Sequence, residues 1–282
     1  MQLVIGAAQF GFDYGITNQV GMVSENEIRS IVNFAKSKHI TKFDTAQSYG
    51  KSEVMLSQFN NIDIITKIIF PKQLMNQQPK RLCQRLIENS TSIFGKPIYA
   101  VLVHDVEVLL GTNGDAVYSS LEDIKLKGFV KKIGVSVYNP DDLFFLLNKY
   151  KWDVVQFPMN LLDQRFSIHE VINVLKQQDI ETHIRSIFLQ GSLLAEETPP
   201  ILKKWDKQFK KIRESAVQNN TTVLELSINF IKSVYPNAHA VVGVSRLEEI
   251  KEIYQAMHNP EFQYDFSKLQ HDDPNLTDPT KW

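Results

Sequence analysis

Short apolar runs alternate with amphipathic segments along the whole chain. LVIGAAQ (3–9) reads as a strand, and 24–39 carries apolar residues at helical spacing behind Ser24, an N-cap residue with Glu27 three positions on. KFDTA (42–46) reads as a strand, 51–59 as a short helix, IDIITKI (62–68) as a strand and 79–94 as a helix opening on Pro79. IYAVLVHD (98–105) is an apolar strand, 115–128 a helix closed by Gly128, and VKKIGVSVY (130–138) a further strand. The order continues with a helix at 140–150, a strand at 153–157, a helix at 167–178 and a strand at 180–186. Helices at 201–218 and 221–233 precede a strand at 238–245 and a helix at 246–258.

Eight strand candidates, each followed by helical pattern, predict an α/β fold with a parallel sheet beneath helices. IIT, YAVLV and DVVQF are apolar at consecutive positions, as in strands buried on both faces. Eight units at about 250 residues predict one (β/α)8 TIM barrel, written as a single domain over 1–282 with 259–282 as a C-terminal tail. A doubly wound open sheet is the alternative, but no G-x-G-x-x-G turn follows the first strand. The polar, proline-bearing end HDDPNLTDPTKW is either an ordered strap or loose.

Composition narrows the partners. With 43% apolar and 22% charged residues, 12 Gly and 11 Pro, disordered and low-complexity classes are excluded. Lys plus Arg is 31 and Asp plus Glu 32, a net charge of −1, so no basic footprint for nucleic acid or an anionic membrane is expected. The lone Cys83 rules out an intrachain disulfide and a cysteine zinc site. With no signal-like start and no long apolar run, the reading is cytoplasmic, with a small-molecule partner. His169, His183, His239, His258 and His271 share no ligand spacing, so no metal is expected. Lys203, Lys204, Lys207, Lys210 and Lys211 read as the solvated face of a helix, and Asp163 and Arg165 as a local pair. Oligomeric state is not legible.

Barrel chemistry sits at the carboxyl ends of the strands. Asp44 ends the second strand, Tyr49 follows it, Lys67 lies near the end of the third and His104 ends the fourth. Each alone has a plain reading as cap, solvated lysine or structural histidine; together they place ionisable groups from three consecutive units on one rim.

FDTAQSYGKSE (43–53), TK (66–67) and LVHD (102–105), in this order, resemble the aldo-keto reductases. IGAAQFG (5–11), IGVSVY (133–138), VVQFPMNLLDQR (154–165) and IRSIFLQGSLL (184–194) extend the resemblance over nearly the whole chain. RSIFLQG and the closing DPTKW are similar to a bacterial branch associated with surface-polysaccharide biosynthesis genes. The resemblance implies an NAD(P)H-dependent reductase of an aldehyde or ketone, sugar-derived in that branch. Tyr49 would be the general acid, Lys67 and Asp44 would tune it, and His104 would orient the carbonyl. An ammonium beside a phenol lowers its ordinary pKa of about 10, which is the stated role of Lys67.

For the cofactor, the resemblance implies NADP, with NAD as the alternative. Ser136 and Gln156 match positions that grip the carboxamide, and Gly6 and Ala7 the contact beneath it. Arg185, Ser186, Gln190 and Gly191 fall along the nicotinamide and pyrophosphate, and Gly243, Ser245, Arg246 and Glu249 at the adenosine end. Three departures stand out. Val137 replaces a carboxamide-binding asparagine, Arg185 stands where an aromatic commonly stacks, and Glu249 would repel a 2′-phosphate that Arg246 would attract. Phe10, Phe12, Tyr14 and Met22 suggest apolar pocket walls, with Asp13, Asp105 and Arg185 as polar recognisers. Two other readings stand beside the reductase: a cofactor-binding regulatory protein on the same scaffold, and an aldolase using Lys67 as a Schiff-base nucleophile.

Overall fold

The computed structural model describes residues 1–71 and 78–282. Local signals start and stop the elements as read. Ser24 Oγ accepts from the Glu27 N–H at 3.3 Å and opens α1 (Glu25–Ser37), while Pro79 opens α3 (Pro79–Phe94). A capping box between Thr222 and Glu225 opens α9 (Val223–Val234), and Gly128, at φ +77°, follows the end of α5 (Gly114–Leu126).

The strands are β1 (Gln2–Gly6), β2 (Lys42–Asp44), β3 (Asp63–Ile68), β4 (Ile98–Val103), β5 (Val130–Ser136), β6 (Val154–Pro158), β7 (Glu181–Arg185) and β8 (His239–Gly243). They pair in sequence order, all parallel, and β8 returns to β1 to close the barrel. The remaining helices are α2 (Ser52–Ser57), α4 (Glu107–Leu110), α6 (Pro140–Lys149), α7 (His169–Gln177), α8 (Asp206–Gln218), α10 (Leu247–His258) and α11 (Pro274–Thr277). No helix among the described residues is long and apolar enough to cross a membrane.

Strand alternation produces two apolar layers. Outward residues such as Phe43, Val101, Val103 and Ile184 pack beneath the helices against Ile31 and Leu121. Inward residues Val4, Ile65, Ala100, Leu102, Val154 and Val241 form a separate lumen cluster. Burial of each such side chain contributes about 1.5–3 kcal/mol, so the lumen is a packed core and not a channel. Gly134 makes room for it, since a Cβ there would stand 2.6 Å from Leu102 Cδ2.

Below the lumen lies a polar layer that the histidine spacing did not reveal. The β7–β8 register sets His183 beside His239, with ring centroids 4.8 Å apart, and Glu181 joins them. Their ligand atoms lie within 4.8 Å of one another. Glu181, however, already accepts from Lys42 at 3.2 Å, from Tyr99 at 2.7 Å and from Lys132, and the two ammoniums oppose a further cation. Burial lowers the pKa of His183 and takes that of His239 to about 3.

Four boundaries differ from the sequence reading. The strand expected over 3–9 stops at Gly6, because Ala8–Phe10 turns into a 3-10 helix. The helix expected over 201–218 is a 3-10 segment, Pro200–Trp205, before α8 begins. Lys203 and Lys210 of that face pair with Asp206, and Lys211 donates to the Lys268 carbonyl. The two short helices α4 and α11 were not anticipated. The tail is a strap: Leu269 and Leu276 are buried, His271 N–H donates to the Leu162 carbonyl at 2.9 Å, and Trp205 Nε1 donates to Asp273. Asp163 and Arg165 pair through two 2.8 Å bonds beneath it.

Candidate active site

The β2 loop is fixed by contacts that demand glycine. Gly11 and Gly50 cross so closely that a Cβ on Gly11 would stand 2.6 Å from Ser52 N and 2.8 Å from the Tyr49 carbonyl carbon. Ser52 Oγ donates to the Ala7 carbonyl at 2.7 Å and accepts from Thr45 at 2.8 Å, while Thr66 donates to Glu53 at 2.6 Å. The Ser-Glu of the motif is therefore a brace that sets where Tyr49 stands.

Asp44, Lys67 and His104 rise from the ends of neighbouring strands above the lumen, and with Tyr49 they line one cavity of about 510 Å³. Lys67, 1% exposed, donates to Asp44 Oδ1 and, at 3.0 Å, to the Thr45 carbonyl. Gln156 Nε2 donates to the other Asp44 oxygen at 2.8 Å, so both oxygens are engaged. Burial lowers the pKa of Lys67, with Asp44 opposing. This ammonium, held by two acceptors, is poorly placed as a Schiff-base nucleophile. Its Nζ lies 5.1 Å from the centre of the Tyr49 ring.

The expected lowering of the tyrosine by Lys67 is not what the structure gives. Burial first, and then the Asp44 charge, push Tyr49 well above the ordinary phenol range, with only Arg185 opposing. Lys67 faces the ring and spends its charge on Asp44. Tyr49 is thus a neutral phenol. His104, its ring 6.2 Å from that of Tyr49, has its pKa lowered to about 4 by burial, Lys67 and Arg185, and is neutral near pH 7.

Of the residues matched to cofactor contacts, Gly6, Arg185, Ser186, Gln190, Gly191, Gly243, Ser245, Arg246 and Glu249 line the same cavity. Ala7 does not: the chain turns after Gly6, Ala7 is fully buried with its N–H on the Asp44 carbonyl, and Ala8 takes the lining position. Ser136 and Gln156 lie buried beneath the floor, where Ser136 Oγ and Gln156 Oε1 have no hydrogen-bond partner. A hydroxyl donor and an amide acceptor left free side by side suit a carboxamide, and β5–β6 register pairs these two residues. Gly6 and Gly243 pair across β1–β8, and a Cβ on Gly243 would meet the Gln9 amide at 2.7 Å. Gln9, whose Oε1 is also buried and unpartnered, was missed because it was read as strand.

After β7 the backbone is left-handed at Ser186, Leu189, Gln190 and Gly191, with φ of 59°, 48°, 54° and 84°. Such a run of costly conformations turns amides toward one concavity, as in anion-binding nests. Thr17 Oγ1 donates to the Gln190 carbonyl at 3.0 Å and ties the β1 loop to it. At the other end, Glu249 accepts from the Ser245 and Arg246 N–H groups at 2.6 and 3.3 Å, and Glu27 from that of Leu247 at 2.6 Å. Two carboxylates thus occupy the amino terminus of α10.

Of the suggested pocket walls, Tyr14 lines the cavity; Phe10 is core, and Phe12 packs on Tyr49 at 6.0 Å. Met22, Asp13 and Asp105 are not among its lining residues, whereas Tyr138, unremarked in the sequence, is.

A closed parallel barrel whose mouth gathers an aspartate, a tyrosine, a lysine and a histidine belongs to the class of barrel enzymes with chemistry at the strand ends. Residues 2–271 match the Aldo/keto reductase family, and the chain belongs to it. Membership supports a carbonyl oxidoreductase, in a family that generally uses nicotinamide cofactors. Similar solved structures include aldo-keto reductase AKR11C1 from Bacillus halodurans, in a holo form. It is 17% identical with a TM-score of 0.76, covering 100% of this chain and 95% of that one. The glycerol dehydrogenase AKR11B4 from Gluconobacter oxydans is 14% identical with a TM-score of 0.72, over 94% and 89%. MGS-M4, an aldo-keto reductase from a Medee basin deep-sea metagenome library, is 18% identical with a TM-score of 0.66, over 95% and 88%. At these identities the likeness is one of fold. Comparison with curated proteins gives no match.

Proposed function

We propose that the protein reduces an aldehyde or ketone to an alcohol with a nicotinamide dinucleotide, with Tyr49 as proton donor. The observation that carries this reading is the convergence of neutral Tyr49, neutral His104 and the Asp44–Lys67 pair on one cavity. The dinucleotide, when bound, supplies the hydride. Ser136 and Gln156 would hold its carboxamide, the loop from Ser186 to Gly191 its pyrophosphate, and Ser245 and Arg246 its adenosine end.

The protein's own task is the oxygen. A neutral imidazole offers one N–H to the substrate carbonyl and fixes its direction, while the Tyr49 phenol delivers a proton as alkoxide charge develops. A phenolate so formed lies beside the Lys67 ammonium, which Asp44 keeps in place. A raised phenol pKa suits donation from the neutral state, and the phenolate becomes accessible once negative charge moves toward Lys67.

At the adenosine end, the reading departs from the NADP that the resemblance implied and takes NADH as the preferred form. A 2′-phosphate would compete with Glu249 for the amides of α10, whereas a ribose diol can donate to carboxylates. The lone, buried Cys83 suits a reducing cytoplasmic setting. Fluorescence titration with NADH and NADPH, followed by oxidation of the bound cofactor over a panel of carbonyl compounds, tests both points. Tighter NADH binding and turnover are expected. Cofactor binding without turnover on any carbonyl would favour the regulatory reading, and absence of binding would end both.

A further inference from the structure

Arg185 is the last residue of β7 and shares its inward face with Glu181 and His183, which point into the barrel. It therefore enters the mouth from the wall. Its guanidinium lies flat on the Tyr138 ring, Cζ 4.0 Å from the centroid, and both residues line the cavity with Tyr49 and His104. Its Nη2 is buried with no hydrogen-bond partner, and no ion pair joins Arg185 to a carboxylate among the described residues.

The other lining charges are engaged. Asp44 holds Lys67 and Gln156, and Glu249 holds the backbone amides of Ser245 and Arg246. Arg246 stands at the exposed, adenosine end. The inner cavity therefore carries one uncompensated charge, positive, presented as a rigid planar fork on an aromatic platform. Its field reaches the reacting groups, since Arg185 is among the causes that lower the pKa of His104 and oppose the rise of Tyr49. A buried guanidinium donor left unmade costs free energy that a planar anion recovers through two parallel bonds.

We propose that Arg185 is a specificity-determining residue that selects carbonyl substrates bearing a carboxylate, which it binds while the carbonyl oxygen faces Tyr49 and His104. This rests on the reductase reading above. A second consequence concerns the cofactor: a fixed cation beside the nicotinamide disfavours the positively charged oxidised ring, and an anionic substrate offsets that charge. A lysine would not reproduce the site, because a point charge lacks both the fork and the stacking plane.

The test compares chain-matched probes, succinic semialdehyde against butanal, with glyceraldehyde 3-phosphate against glyceraldehyde as the phosphate arm. The wild-type protein is expected to favour succinic semialdehyde at least 10-fold in kcat/KM. Arg185→Met, which keeps an apolar stem on Tyr138, should bring that ratio within about 2-fold of unity, and Arg185→Lys should restore only part of it. The dissociation constant for NADH should move less than about 3-fold in Arg185→Met. In parallel, benzoate against benzamide binding to the wild-type protein saturated with oxidised cofactor reads the anion site without turnover or any variant. Benzoate should bind at least 10-fold more tightly. Equal use of succinic semialdehyde and butanal, a preference confined to the phosphate arm, or a loss of NADH affinity in place of selectivity would each overturn the proposal. A selective benzoate site in a protein that turns over no carbonyl would overturn the reductase reading and leave the anion site standing. Equal benzoate and benzamide binding would remove the anion site whatever the activity.

Discussion

Gly11→Ala should be a catalytic lesion delivered through the backbone. Gly11 has φ −113°, a conformation open to any residue, so the substitution introduces no backbone strain. What it introduces is a methyl group 2.6 Å from Ser52 N and 2.8 Å from the Tyr49 carbonyl carbon, both main-chain atoms that cannot rotate away. Ordinary contact near 3.4 Å requires the two loops to part by close to 1 Å, and Tyr49 moves with its own carbonyl. Overpacking of this kind costs about 1–3 kcal/mol of stability. A 1 Å misplacement of a reacting group costs on the order of 100-fold in rate. Gly95→Ala is the matched control: Gly95 sits at φ +59° with nothing within 4 Å of its added Cβ, beyond the end of α3 and away from the cavity. It should lose about 1–2 kcal/mol to left-handed strain and keep its kcat. Urea unfolding and kcat on the best substrate, measured for both variants, separate the two effects. If Gly11→Ala keeps kcat within about 3-fold, the loop crossing does not position Tyr49.

The remaining expectations concern charge. Breaking the buried Asp44–Lys67 pair by Asp44→Asn or Lys67→Met should cost about 3–5 kcal/mol each, and the double variant clearly less than the sum; additive losses in urea unfolding would mean the pair is not coupled. Glu249→Gln should improve NADPH relative to NADH binding by about 3- to 10-fold, and an unchanged ratio in fluorescence titration would show that the α10 carboxylates do not set the preference. Acid should destabilise the barrel floor. His183 and His239 are held neutral when folded and protonate near pH 6.5 when unfolded, so the unfolded chain binds more protons as pH falls. Each removes up to about 1.4 kcal/mol per pH unit between pH 6 and 4.5. Unfolding midpoints that stay level over that range would contradict the buried, neutral assignment.

The order of strands and helices was legible because caps, prolines and apolar runs are local signals, and a buried parallel strand differs from an amphipathic helix in period. Where the first strand stops was not, because Ala7, Ala8 and Gln9 remain compatible with extended chain until the Gly11–Gly50 crossing bends them. Asp44, Tyr49, Lys67 and His104 were readable because each sits at or just after a strand end, where topology alone brings them together. The cluster of Glu181, His183 and His239 was not, since it depends on β7–β8 register and not on spacing within one segment. The tuning of Tyr49 also escaped, because adjacency of Lys67 predicts a lowered pKa, while burial and the Asp44 charge outweigh it. Arg185 was noticed as an odd residue at a stacking position; its isolation from every carboxylate partner became visible only with the mouth assembled.

The central claim, that Tyr49 delivers the proton, is tested most directly by Tyr49→Phe, measuring single-turnover cofactor oxidation alongside NADH affinity. Removal of one hydroxyl should lower the rate by about 10²–10⁴-fold while the NADH dissociation constant stays within about 3-fold. Near-normal turnover in Tyr49→Phe would contradict it.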